Sequence, residues 1–384
     1  MQFEFSTAAR ILFGPGTSRE IGAIAKSLGR RALIVVGRSL ERSQRFLDSL
    51  ESSQVECVSF HVPHEPTTGL VSTGAELAKA EQCEVVIAIG GGSVLDAAKA
   101  IAAISSNGGE VTDYLEVVGK GRSLSRPSLP WIAVPTTAGT GAEVTRNAVL
   151  ASPEHRMKAS LRSSFLAARA AIVDPDLTHD LPPALTASTG LDALTQLIEP
   201  YVSHRANPIT DGFCVEGLRR CARSLRRAFE NGRETSARED MSLASLLSGL
   251  ALANAGLGAV HGFAAAIGGM FPAPHGAVCA ALLPHVMAMN VRALRQRDPQ
   301  SAALRRFDEV ARLLTDNPAA VAGDGVAWVR NLCAALQVPP LRAHGIGTAH
   351  VPELIEKAAK ASSTKNNPIA LQPAELQEIL AASG

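Results

Sequence analysis

Short continuous apolar runs alternate with helix-patterned stretches through the first half of the chain, and the alternation stops near residue 180. Ala32-Leu33-Ile34-Val35-Val36 reads as a buried strand ending at Gly37, and Val55 to Val62 as a second β-rich run. Val85-Val86-Ile87-Ala88-Ile89 and Trp131-Ile132-Ala133-Val134 read as two further buried strands, stopped by glycines and by Pro135. Helical patterns occupy Ala75 to Ala80 and Val94 to Ile101. Continuous apolar strands separated by helices imply a parallel sheet covered on both faces. From Leu185 onward the chain is rich in Ala and Leu with helical patterning, as in Ser242 to Leu257, and a short helix is expected from Pro373. The expected architecture is an α/β domain over residues 1–182 with a Rossmann-like parallel sheet, then an all-α domain over 183–384. Phe3 to Phe13 alternates like an exposed strand, an edge that asks for a partner.

Composition narrows the function. A chain of 384 residues is comfortable for two cores. Lys+Arg 37 against Asp+Glu 36 leaves no basic field for nucleic acid or anionic lipid, so the expected partner is a small molecule. The six cysteines form no CxxC pair and read as buried thiols in a reducing compartment. The start lacks a signal-peptide pattern, and no apolar run approaches the ~18 residues of a membrane span. A cytoplasmic protein is expected.

Two polar loops follow strands. Gly90-Gly91-Gly92-Ser93 ends one strand and opens a helix, where free N–H groups and missing side chains let a diphosphate approach the backbone. A plain strand-to-helix turn usually needs one glycine and seldom three. The loop lacks the GxGxxG spacing and lies too far along the chain to be a standard first βα turn. After the next strand, Pro135-Thr136-Thr137-Ala138-Gly139-Thr140-Gly141-Ala142-Glu143 offers hydroxyls at a strand's C-terminal end, suited to ribose and phosphate oxygens. A helix cap would explain Thr140, with Glu143 three residues on, but not Thr136 and Thr137.

In the second half, Asp192 and Gln196 sit four apart on one face of an apolar helical pattern. His261 and His275 flank a glycine-rich apolar stretch. A single histidine in such a setting is more often a satisfied core residue. Two of them with a buried aspartate raise a metal site. His285 reads as structural, and the remaining histidines as surface residues.

At this point the motifs resemble a family. Gly90-Gly91-Gly92-Ser93-x-x-Asp96-x-x-Lys99, Pro135-Thr136-Thr137-Ala138-Gly139-Thr140-x-x-Glu143, Asp174-Pro175, Thr189-Gly190-x-Asp192-Ala193-Leu194 and Pro274-His275-Gly276 are similar to the iron-containing (group III) alcohol dehydrogenases. The resemblance runs nearly end to end and implies a dehydroquinate synthase-like fold. It places nicotinamide, metal and substrate in a cleft between a dinucleotide-binding domain and a helical metal/substrate domain. It implies that Gly91, Gly92 and Ser93 hold the pyrophosphate, Asp96 lies near the nicotinamide side, Thr136, Thr137 and Thr140 line the nucleotide, and Lys158 reaches its ribose. Asp192, His261 and His275 match three of the family's metal ligands and are the expected catalytic residues.

Two positions depart from the family. Gln196 stands where the family has a ligand histidine, and Ala265 where it has a histidine near the nicotinamide. Gln196 can ligate through its amide oxygen, in a weaker Fe(II) or Zn(II) site. With no metal, His261 or His275 would act as general acid. Ala265 predicts a roomier pocket and a bulkier or less polar alcohol or aldehyde. Gly37, where NAD-preferring members carry Asp, is followed by Arg38 and Ser39, which makes NADP acceptable beside NAD. Four readings are open: a metal-dependent NAD(P) alcohol dehydrogenase, a metal-free reductase of an oxo or unsaturated acid like the maleylacetate reductases, a dehydroquinate synthase-like lyase, and a binding protein without catalysis. The first is expected, as a homodimer.

Overall fold

The computed structural model describes residues 2–38 and 43–384. They form two compact units, one of residues 6–137 and 141–178, the other of residues 2–5, 138–140 and 179–384.

The first unit is built on β1 (Ile11–Phe13), β2 (Arg31–Val36), β3 (Glu56–His61), β4 (Val85–Gly90), β5 (Trp131–Pro135) and β8 (Ala170–Val173). These pair in the order β1-β8-β5-β4-β2-β3, every pair parallel. Helices α1 (Ile21–Leu28), α2 (Gln44–Ser52), α3 (Thr68–Ala80) and α4 (Gly92–Asn107) connect the strands. Strands β4, β5 and β8 are buried throughout and β2 nearly so, as continuous apolar runs require. Ile34, Val36, Ile87, Ile89, Ile132 and Ile172 pack with α1 and α2 side chains into one core. The order reverses between β2 and β4, so the crevice outside their carboxyl ends is where such sheets bind ligands. Gly37 and Gly90 to Ser93 both follow strands at that reversal.

An antiparallel hairpin, β6 (Asn147–Ser152) with β7 (Met157–Arg162), was not signalled by the apolar pattern. The Lys99 ammonium, fully buried, holds it by bonding Asn147 O at 2.8 Å and Thr145 Oγ1 at 2.6 Å. Asp174 also has a structural role, accepting from the N–H groups of Gly16 and Ser18 at 3.1 Å each and fixing the turn after β1.

Two local expectations are corrected. Only Ile11–Phe13 of the Phe3 to Phe13 segment is a strand, and Phe5 instead packs on Phe213 within the other unit. The Thr140/Glu143 capping box does not form. Residues Ala142–Val144 make one 3-10 turn preceded by Gly141 at φ 59°, with no side-chain cap.

The second unit is helical: α5 (Pro183–Val202), α6 (Pro208–Glu230), α7 (Thr235–Ala255), α8 (Ala259–Met270), α9 (His275–Arg297), α10 (Ala302–Thr315), α11 (Ala322–Ala335), α12 (Val351–Lys360) and α13 (Pro373–Ala382). Among the described residues α9 is the one unbroken helix long and apolar enough to cross a membrane, and most of it is buried in the protein's own core. Arg238, also buried, ties α7 to the start of α5 through Thr186 Oγ1 and Leu181 O.

Candidate functional site

In the α/β unit, Gly91 precedes α4, and no side chain caps that helix start. Val94 N–H already donates to Gly91 O at 3.0 Å, so the N–H groups of Gly92 and Ser93 are the ones that keep their capacity for an anion. Gly91 has no room to spare, because a Cβ there would lie 3.3 Å from the Thr137 side chain. Thr136 N–H donates to Gly90 O at 3.0 Å, so the glycine loop and the first two threonines form one structure. Gly139, two residues on, packs on Thr189 within the helical unit, to which Thr140 also belongs.

Three expected nucleotide residues are already engaged. Asp96, expected near the nicotinamide side, gives one carboxylate oxygen to Lys99 Nζ at 3.2 Å and the other to Val149 N–H at 3.1 Å, which anchors β6. The Lys158 ammonium pairs with Glu65 at 3.0 Å. Arg38 is exposed and its Nε donates to Pro63 O at 2.6 Å, beside Gly37; Ser39 lies outside the described residues.

In the helical unit, Asp192, His261, His275 and Cys279 converge, each offering a ligand atom within 4.8 Å of the others. Asp192 comes from the middle of α5, His261 from the first turn of α8, and His275 opens α9 with Cys279 one turn later on the same face. Asp192 Oδ1 is buried and has no hydrogen-bond partner. His261 Nε2 lies 3.3 Å from it and His275 Nε2 3.7 Å. Such distances are long for hydrogen bonds but suit atoms around one ion, since ligands ~2.0–2.3 Å from a tetrahedral centre lie about 3.3–3.6 Å apart. An orphaned carboxylate oxygen facing two imidazole nitrogens fits a divalent cation. The His275 side chain is 32% exposed, so the cluster has an open side.

Neighbours fix these donors. Glu199 Oε2 lies 2.6 Å from His261 Nδ1 and accepts its proton, which leaves the Nε2 lone pair aimed into the cluster. Its other oxygen accepts from Val260 N–H at 2.8 Å, and Asn367 Oδ1 accepts from Ala259 N–H at 3.1 Å. Side chains remote in sequence thus cap α8 at the turn that carries His261. Gln196, expected to ligate through its amide oxygen, is placed otherwise. A carboxylate only accepts, so the atom facing Asp192 Oδ2 at 2.9 Å is the Gln196 NH2, and its Oε1 lies 2.8 Å from Ser248 Oγ, whose single proton also has Ser245 O within 2.8 Å. The amide nitrogen is committed to Asp192 and the amide oxygen is turned toward Ser248.

Burial opposes ionised Asp192, but His275 and His261 outweigh it and hold its carboxyl below the usual range. The Cys279 thiol is lowered in the same way, against burial, by His275 and His261. Both imidazoles are raised despite burial, by Cys279 together with Glu199 at His261 and Asp192 at His275. The centre attracts positive charge.

Sequence reasoning missed two members. Glu199 completes an i, i+4, i+7 face with Asp192 and Gln196, a polar stripe in an apolar helix. Cys279 was read with the other cysteines as an inert buried thiol, although its i+4 spacing from His275 was visible. Cys57, read the same way, is exposed. Ala265 lies one turn beyond His261 on α8.

Residues 8–175 match the family described as iron-containing alcohol dehydrogenase, and residues 186–384 match the Fe-containing alcohol dehydrogenase family, C-terminal. The chain is 35% identical over 369 residues to 1,3-propanediol dehydrogenase of Klebsiella pneumoniae, covering 93% of this chain and 92% of the relative. It is 40% identical over 292 residues to long-chain-alcohol dehydrogenase 1 of Geobacillus thermodenitrificans, covering 73% of each. The crystal structure of a 1,3-propanediol oxidoreductase superposes with a TM-score of 0.93 at 33% identity, covering 100% of both chains. These likenesses favour neither the acid reductase nor the lyase. Family matches along both units, joined to a centre that fits a cation, establish that the chain belongs to the iron-containing alcohol dehydrogenases, enzymes that use NAD(P) and a metal.

Proposed function

We propose that this enzyme interconverts an alcohol and its aldehyde or ketone, with NADP(H) favoured over NAD(H) and with Fe(II) or Zn(II) at Asp192, His261 and His275. The observation that carries the metal is the buried, unpartnered Asp192 Oδ1 facing two imidazole nitrogens. When bound, the ion and the nicotinamide supply a Lewis acid for the substrate oxygen and a hydride carrier for its carbon. The chain does the positioning. Glu199 keeps the Nδ1 proton of His261, so that its Nε2 remains a donor atom, and Gln196 holds Asp192 in one rotamer. The uncapped start of α4, with Gly91, Gly92 and Ser93, receives the pyrophosphate. Thr136, Thr137 and Thr140 line the nucleotide, and Lys158 shares its ammonium between Glu65 and the ribose.

Gly37 removes the carboxylate that would repel a 2′-phosphate, and Arg38 supplies a cation next to it. Ala265 leaves room for a substrate larger than a three-carbon alcohol. The named substrates of the relatives run from methanol and 1,3-propanediol to choline and long-chain alcohols, and the larger end of that range suits the small side chain. The active form is proposed as a cytoplasmic homodimer.

The test is metal analysis of the purified protein beside turnover of an aldehyde series with NADH and NADPH. Bound divalent metal, chelator-sensitive turnover, higher kcat/KM with NADPH and a preference for longer chains are expected. Full turnover after complete metal removal would overturn the metal reading. A strong NADH preference would overturn the cofactor assignment, and unchanged chain-length preference in Ala265→His would overturn the pocket assignment.

A further inference from the structure

We infer that Cys279 is the fourth protein ligand of this centre, in place of Gln196, and that the Asp-His-His-Cys set binds Zn(II) in preference to Fe(II). The inference rests on the metal reading above and goes beyond it in ligand set and ion. Cys279 is fully buried, with Sγ 3.7 Å from His275 Nε2 and 3.9 Å from His261 Nε2. One S–H proton cannot serve two imidazole nitrogens, and both distances are long for the weak bond a thiol makes. With the two Asp192–imidazole distances of 3.3 and 3.7 Å, they outline four edges of a coordination polyhedron about the size a tetrahedral N, O and S site requires, ~3.3–3.6 Å.

Gln196 meanwhile is held away from ligation by Asp192 on one side and Ser248 on the other. It is a positioning residue: its NH2 occupies Asp192 Oδ2 and leaves Oδ1 for the centre. The donor lost on α5 is replaced on α9, one turn after His275. Binding forms a sulfur–metal bond and releases the thiol proton to solvent, with no change of oxidation state. A thiolate among imidazoles makes the site softer than a set of oxygen and nitrogen donors, and Zn(II) lies above Fe(II) in affinity for such ligands.

The experiment strips the full-length protein with a chelator and reloads it with Co(II) or Zn(II). Wild type with Co(II) should show a sulfur-to-cobalt charge-transfer band in the near ultraviolet, and X-ray absorption of the Zn(II) form should show one sulfur at ~2.3 Å. Cys279→Ser, checked for folding by circular dichroism, should lose the band and bind Zn(II) at least ~100-fold more weakly, more than loss of an outer partner costs. If Co(II) binds with ligand-field bands but no sulfur band, or if the band survives in Cys279→Ser, the cysteine is not a ligand and the metal reading stands. If wild type binds neither ion, both fall. Zn(II) binding no tighter than Fe(II) in anaerobic competition would overturn the preference. The wild-type spectra decide the ligand question even if the variant fails to fold.

Discussion

The loop proposed to hold the nucleotide in the α/β unit is made of main chain, whereas the centre of the helical unit is made of side chains. Gly90 to Ser93 are contiguous, and the chemistry proposed for them lies in N–H groups that no side chain caps at the start of one helix. Asp192, His261, His275 and Cys279 come from three helices, and two of them are aimed by partners outside the cluster, the aspartate by Gln196 and His261 by Glu199, while the helical repeat sets the cysteine one turn after His275. A main-chain site tolerates little added bulk, and a side-chain site tolerates little loss of a partner. Damage to one unit should leave the other's ligand binding intact.

The largest effect that tests this separation is expected from Asp192→Ala. Removing the anion at the middle of the cluster should abolish metal retention and lower kcat/KM by about 10³-fold, the scale of several kcal/mol of lost Lewis-acid assistance. Dinucleotide binding, followed by nicotinamide fluorescence, should be unchanged, and its loss would break the comparison. Glu199→Gln comes next. The amide can still accept from His261 Nδ1 but without charge, so metal affinity should fall about 10–100-fold in equilibrium dialysis. An unchanged affinity would show that Glu199 serves only to cap α8, through its 2.8 Å bond from Val260 N–H.

Gly91→Ala probes the other side. The new methyl would sit 3.3 Å from Thr137 and crowd the approach of the pyrophosphate, so the dinucleotide Kd should rise about tenfold, ~1.4 kcal/mol, with metal content unchanged. The smallest effect leaves activity aside. Burial pushes Glu143 up to about 7 from 4.5. The folded α/β unit therefore favours the protonated carboxyl, and its contribution is full below about pH 4.5 and lost as pH rises through about 7. Wild type should lose a few degrees of melting temperature relative to Glu143→Gln between pH 5 and pH 8. A parallel pH dependence in the two proteins would refute the assignment.

Much of the fold was legible because its signals are local. The buried runs 32–36, 85–89 and 131–134 within β2, β4 and β5 are continuous and apolar, and period and punctuation fix them without reference to the rest of the chain. The β6–β7 hairpin was not legible, since its strands are half buried and held by Lys99 and Asp96 from another element. Phe3 to Phe13 misled for the opposite reason: alternation describes a strand's faces but not whether a neighbour exists to pair with. Motif resemblance located Asp192, His261 and His275, but spacing could not say what each side chain faces. Gln196 therefore read as a substituted ligand and Cys279 as inert.

The sequence by itself determined the parallel sheet, the glycine loop that opens a helix after β4, the helical second half and the family. These rest on neighbouring residues, and backbone geometry acts over a few positions. Only the tertiary structure decided that the Gln196 amide is turned to Asp192 Oδ2 and Ser248, that Glu199 holds His261, and that Cys279 joins the centre. Those contacts are hydrogen bonds and donor distances of about 3–4 Å between residues far apart in the chain, and packing of α5, α8 and α9 is what brings them within reach.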